Sequence, residues 1–129
     1  LNSKLIAVLG NNDLEEIGLR EVSEIHDFIL EIPPFITDLG GEKIAIFHDP
    51  DGINKFIQKN PSINYVFHGH THRYRNEEQK GVTIFNPGEC AGMLKGKNAV
   101  GLIDLKESSI KRIFFWEKRK LIGGLCIEW

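Results

Sequence analysis

Four of the five histidines in this 129-residue chain stand where an apolar run stops, and that placement is its first sign of chemistry. Ile44–Phe47 runs out at His48, and Tyr65–Phe67 runs out at His68-Gly69-His70-Thr71-His72. Two further runs end on polar groups in the same way. Leu5–Leu9 stops at Gly10-Asn11-Asn12-Asp13, and Val82–Phe85 stops at Asn86-Pro87-Gly88-Glu89. In α/β sheets, groups just beyond the carboxyl ends of several strands converge on one site. Imidazole nitrogens suit Zn, Fe, Ni, Co and Mn, and amide or carboxylate oxygens favour the harder ions of that set. In extended backbone, residues two apart share a side, so His70 and His72 are expected to offer imidazoles to neighbouring ions from one short segment. Asn11 reads either as an oxygen ligand or as a simple turn residue. His68, still closing its strand, is expected to orient its neighbours, and His26, in a charged helical stretch, to be an ordinary solvated side chain. Arg73 follows His72 and reads as a solvated arginine rather than a phosphate contact.

Positioning these groups requires strands that end together. Leu5–Leu9 is a continuous apolar run closed by Gly10, as expected of a strand buried on both faces. Asp13 with Glu16 three residues on forms a capping-box pattern for a helix, on which Leu14, Ile17, Gly18, Val22 and Ile25 share a face. Pro33-Pro34 ends that region. Phe35–Leu39 and Lys43–Phe47 flank Gly40-Gly41 and predict a hairpin. Asp49-Pro50-Asp51-Gly52 leads into a short helix with Ile53, Phe56 and Ile57 inward, stopped by Asn60-Pro61. Ile63–Phe67 and Val82–Phe85 are expected strands, and residues 73–81 a polar loop. Asn98–Leu105 and Ser109–Trp116 alternate as a second hairpin. For the tail from Leu121 to Trp129 three readings stand open: a last strand, a partner contact or a disordered end.

Composition only bounds the answer. An apolar fraction of 41%, a charged fraction of 26% and a net charge of −2 describe an ordinary globular chain with one core and no field that gathers nucleic acid. Cys90 and Cys126 are too few for a disulfide framework and predict reduced thiols in the cytoplasm. No run approaches the ~20 apolar residues that cross a bilayer. The chain opens with Leu1, not Met, almost directly on a strand, which suggests a fragment or a processed product.

Taken in order, Gly10-Asn11-Asn12-Asp13, His48, Gly69-His70-Thr71-His72 and Asn86-Pro87-Gly88-Glu89-Cys90 resemble successive blocks of the calcineurin-like metallophosphoesterases. The similarity runs from about Leu5 to Ile113 and is strongest to the small bacterial and archaeal phosphodiesterases of that superfamily. The resemblance implies an α/β fold, a mixed β-sandwich flanked by helices. It implies that Asn11, His48 and His70 ligate one divalent metal ion and His72 a second, the ions being Mn, Ni, Fe, Co or Zn. The Asn-Pro-Gly block becomes a tight turn bordering the site, and Asp13 orients Asn11 and caps its helix. The reaction implied is phosphodiester hydrolysis by a hydroxide bridging two ions about 3.5–4 Å apart, with the pKa of bound water lowered to about 7.

The departures are equally specific. The family's opening Asp-x-His and its bridging Gly-Asp are not matched, so residues 1–129 read as the C-terminal two-thirds of one domain, with 117–129 as a tail. The unmatched piece corresponds to one βαβ unit of about 30 residues or more. Its absence predicts weak or absent turnover by these residues alone, and an apolar edge at Leu5–Leu9 open to pairing between copies of the chain. Asn12 stands where many relatives carry a histidine that protonates the leaving group, and His48-Asp49-Pro50 replaces a frequent His-Gly-His. The expected partner is a small-molecule or nucleotide phosphoester, with no membrane and no sequence-specific nucleic acid. Two alternatives are a non-catalytic scaffold on the same fold, as in the retromer subunit that resembles this family, and a metal-binding module without hydrolysis.

Overall fold

A computed structural model describes residues 3–13, 17–115, 120–122 and 125–127. Its centre is a five-stranded mixed sheet in the order β3 (Phe35–Leu39), β4 (Glu42–Ile46), β5 (Tyr65–Phe67), β7 (Val82–Asn86), β6 (Arg75–Gln79). β4, β5 and β7 run parallel, so their carboxyl ends meet on one edge. Ala45, Val66 and Ile84 sit side by side in that register and are each 0% exposed. Successive strand residues face opposite sides, so this row and its neighbours Phe47 and Val82 point at α2 (Ile53–Lys59), which returns Ile53 and Ile57. At ~1.5–3 kcal/mol for each fully buried aliphatic side chain, this face holds the domain together.

The opposite face carries Ile44, Tyr65 and Phe85, all buried. There the antiparallel hairpin of β8 (Ala99–Asp104) and β9 (Ser109–Phe114) completes the sandwich. Gly101 rests on the Phe85 ring so closely that a Cβ at that position would lie 2.3 Å from Cε1. The α/β sandwich flanked by helices is therefore the observed architecture. The Gly40-Gly41 hairpin is present, both glycines taking φ of 60° and 88°, left-handed values that glycine adopts at no steric cost.

Four expectations are corrected. Residues 75–79 are not loop but β6, an antiparallel edge strand on β7. An edge strand needs only its backbone paired and tolerates charged side chains toward water, so Arg75, Glu77 and Glu78 hid it. β1 is shorter, Ile6–Val8, and only half-buried; it pairs in parallel with a strand missed in the sequence, β2 (Ile29–Glu31). Ser23 is the residue that α1 (Ile17–Ile25) buries, while Ile17 and Ile25 of the expected inner face are each 75% exposed. Ile63–Phe67 shrinks to Tyr65–Phe67. Leu14, Glu16 and Trp116 lie outside the described residues. In the tail, β10 (Lys120–Ile122) and β11 (Leu125–Ile127) pair as an antiparallel hairpin. Among the described residues no helix is long and apolar enough to cross a membrane.

The Gly101 contact is testable. Gly101→Ala must displace the buried Phe85 ring and is expected to lower stability by ~1–3 kcal/mol, the usual range for overpacking. Denaturant midpoints of parent and variant measure it, and equal midpoints would mean that the hairpin does not seat on Phe85.

Candidate metal centre

The parallel ladder continues past the strand ends, and this sets the site. Phe47 N–H donates to Phe67 O, His68 N–H to Phe85 O, and Gly69 N–H to His48 O at 3.1 Å. Gly69 is thereby tied to His48, and the loop beyond it turns back over the sheet edge. Thr71 N–H donates to Gly69 O at 2.7 Å around His70, whose φ is 60°. That is a γ-turn with a left-handed central residue, an uncommon and strained conformation for a side chain other than glycine. His72 also has positive φ, 55°. The expected extended segment is therefore wrong. His70 and His72 are set by two left-handed residues rather than by strand alternation.

The loop is held by Asn86, which is 0% exposed. Its Nδ2 donates to Gly69 O (2.8 Å) and Thr71 Oγ1 (3.2 Å), and its Oδ1 accepts from Gly88 N–H (2.8 Å). The Asn-Pro-Gly block is thus a structural turn, as the resemblance implied. His68 supports the same loop, with Nδ1 3.1 Å from Gly69 O. Its burial outweighs that hydrogen bond and lowers its pKa below the ordinary 6.5.

Three of the four expected ligands come together. His48 Nε2 lies 2.7 Å from Asn11 Oδ1 and 3.1 Å from His70 Nδ1. Asn11 Nδ2 donates to Asn12 Oδ1 at 3.4 Å, which leaves the amide oxygen facing His48. Asp13 acts one step further out: its Oδ2 accepts from Gly10 N–H at 2.6 Å and closes the turn that presents Asn11. Asp49 Oδ2 stands 3.5 Å from the other nitrogen of His70. Asn11, His48 and Asp49 also line a cleft of about 540 Å³ walled by Pro33, Pro34 and Phe47. Among the described residues no three His, Cys, Asp or Glu side chains close on one point. The cluster reaches three donors by counting the Asn11 oxygen. An imidazole nitrogen with an amide oxygen and a second imidazole nitrogen each within about 3 Å of it suits a borderline transition-metal cation.

His72 is engaged elsewhere. Its Nδ1–H donates to Glu89 Oε2 at 2.6 Å. Glu89 is 2% exposed, and its Oε1 accepts from Ala91 and Met93 N–H. The Met93 N–H is the largest influence lowering the Glu89 pKa; burial opposes it and His72 adds to it. The sequence pattern alone gives no role to Glu89 or Asp49. Glu89 stands in a block already singled out, but its pairing with a histidine 17 residues away leaves no local pattern. Arg73 and His26 are exposed, as expected.

The chain belongs to the calcineurin-like phosphoesterase superfamily, an enzyme family whose sequence profile matches residues 1–108. It groups with the small archaeal and bacterial phosphodiesterases. Phosphodiesterase MJ0936 of Methanocaldococcus jannaschii is 33% identical over 116 residues, which are 88% of this chain and 69% of the relative. The solved structure of an archaeal phosphodiesterase superposes with a TM-score of 0.76 at 30% identity, covering 89% of this chain and 71% of that one. A conserved protein of Streptococcus pneumoniae shares the fold, with a TM-score of 0.59 at 17% identity over 98% of this chain and 81% of its own.

The histidine buried beneath the loop gives a pH prediction. Its folded pKa lies below its unfolded 6.5, so between the two values the unfolded chain binds the extra proton. Stability is expected to fall as pH drops below 6.5 and to level off below the folded pKa. His68→Gln should flatten that limb of a thermal-melting profile. Identical profiles would show that the ring is not desolvated.

Proposed function

We propose that the chain is a metal-dependent phosphodiesterase, with Asn11, His48 and His70 holding one divalent ion and His72 contributing to a second. The observation that carries this reading is the approach of His48 Nε2 to Asn11 Oδ1 and His70 Nδ1, at 2.7 and 3.1 Å. The relatives named phosphodiesterase support the reaction class. Two bound ions of the Mn, Fe, Co, Ni or Zn group would supply a nucleophilic hydroxide near neutral pH and neutralise charge developing on the phosphoryl oxygens.

The chain's own groups do the rest. Asn12 and the Asp13-closed turn orient the Asn11 oxygen, and Asp49 and Glu89 orient the two loop imidazoles. The cleft beside His48, with Pro33, Pro34 and Phe47 as its apolar wall, suits the organic part of a phosphoester. Asn12 supplies no titratable proton, so the leaving group takes its proton from another source. An exposed free Cys90 agrees with a reducing compartment such as the cytoplasm.

Titration with Mn(II), read by calorimetry and by release of nitrophenol from bis(p-nitrophenyl) phosphate, tests the proposal. The parent is expected to bind Mn(II) through the three-donor cluster and to hydrolyse the diester slowly, with EDTA abolishing turnover. His48→Ala and His70→Ala should lose both binding and turnover while melting as the parent does. If both variants bind and hydrolyse like the parent, the assignment fails.

A further inference from the structure

His72 has two ring nitrogens, and the structure commits one of them. Its Nδ1 lies 2.6 Å from Glu89 Oε2. An ionised carboxylate only accepts, so Nδ1 carries the proton and Nε2 keeps its lone pair. The carboxylate is itself immobilised. It is 2% exposed, and its other oxygen accepts from Ala91 N–H at 2.9 Å and Met93 N–H at 3.0 Å. The Glu89 carbonyl accepts from Ala99 N–H at 2.8 Å, anchoring the segment to β8. A charged side chain is rarely so enclosed unless it is paired, and three hydrogen bonds fix both its place and its rotamer.

We infer that Glu89 is a positioning residue that locks His72 as the Nδ1–H tautomer and presents Nε2 to the metal centre. This rests on the functional reading above, in which His72 is a ligand. A carboxylate or carbonyl on the far nitrogen of a ligating histidine fixes ring orientation and raises ligand basicity, and its loss typically costs 10–100-fold in metal affinity. The Thr71-His72 backbone cannot do this alone. A left-handed residue at a loop tip leaves the ring free about its side-chain torsions, and His72 is 45% exposed against 2% for Glu89.

Glu89→Gln is the discriminating substitution because it keeps size and shape. Two backbone N–H groups already point at the Oε1 position, so the amide oxygen must take that place. The amide NH2 then faces His72 and turns Nδ1 from donor to acceptor, moving its proton to Nε2. Long-range 15N–1H spectra of the histidine rings read the tautomer directly, and a Zn(II) titration in the same samples reads ligation ring by ring. The parent is expected to show Nδ1–H at His72, with the Nε2 signal moving on addition of Zn(II). Glu89→Gln is expected to show Nε2–H and to need about 10–100-fold more Zn(II) for the same change, with its core resonances unmoved.

An Nε2–H tautomer in the parent, or an unchanged tautomer in Glu89→Gln, overturns the inference. So does an inverted tautomer with an unchanged Zn(II) response at His72. The rings of His48 and His70 report separately in these spectra. If Zn(II) moves neither of them, it is the functional reading that falls, whatever His72 does.

Discussion

The buried carboxamide of Asn86 is the constraint on which the site depends. A fully enclosed amide must satisfy its donors and acceptor internally, since each unmet group costs ~1–3 kcal/mol. Asn86 meets this by bonding to Gly69 O, Thr71 Oγ1 and Gly88 N–H. The bonds to Gly69 and Thr71 join the ends of β5 and β7 and hold the γ-turn on which His70 sits, and the bond from Gly88 closes the turn that follows β7. A left-handed histidine is tolerated only where its surroundings over-determine it, and Asn86, with the Gly69–His48 backbone bond, supplies that surrounding. The strained loop is thus stabilised by the sheet edge beneath it.

This explains why the edge that carries the candidate site is built from the best-packed strands. Ala45, Val66 and Ile84 are fully buried neighbours in β4, β5 and β7, so the backbone carrying His48, His68 and Asn86 has little freedom. Asn11 arrives differently, from the two-stranded sheet of β1 and β2. Its approach to His48 depends on the turn at Gly10, where a Cβ would come within 3.0 Å of the His48 ring. Glycine at that position lets the amide and the imidazole meet.

Much of this was legible in the sequence, and the reason is physical. Buried parallel strands read as continuous apolar runs, so β4, β5 and β7 and the polar residues just beyond them stood out, and with them His48 and His70; Asn11 stood out in the same way after the apolar run of β1. The rest failed where local pattern and tertiary environment diverge. Arg75–Gln79 carries charge because it is an edge, and α1 shows helical periodicity although Ile17 and Ile25 are not buried. The left-handed value at His70 is held by the Gly69–Thr71 bond and the contacts of both residues to Asn86, which no spacing within Gly-His-Thr-His encodes. Glu89 and Asp49 were missed for the same reason: each acts through a histidine distant in sequence.

Those two acidic residues give the loop its asymmetry. His70 and His72 have nearly equal φ, 60° and 55°, so their φ angles do not tell them apart. The carboxylates break that equivalence. Asp49 approaches Nε2 of His70 and leaves Nδ1 toward His48, whereas Glu89 takes Nδ1 of His72 and leaves Nε2. Two histidines separated only by Thr71 thereby leave opposite ring nitrogens uncommitted to a carboxylate, and these lie at different distances from their own Cα atoms. One tight loop can then reach two separate points without further distortion of its backbone.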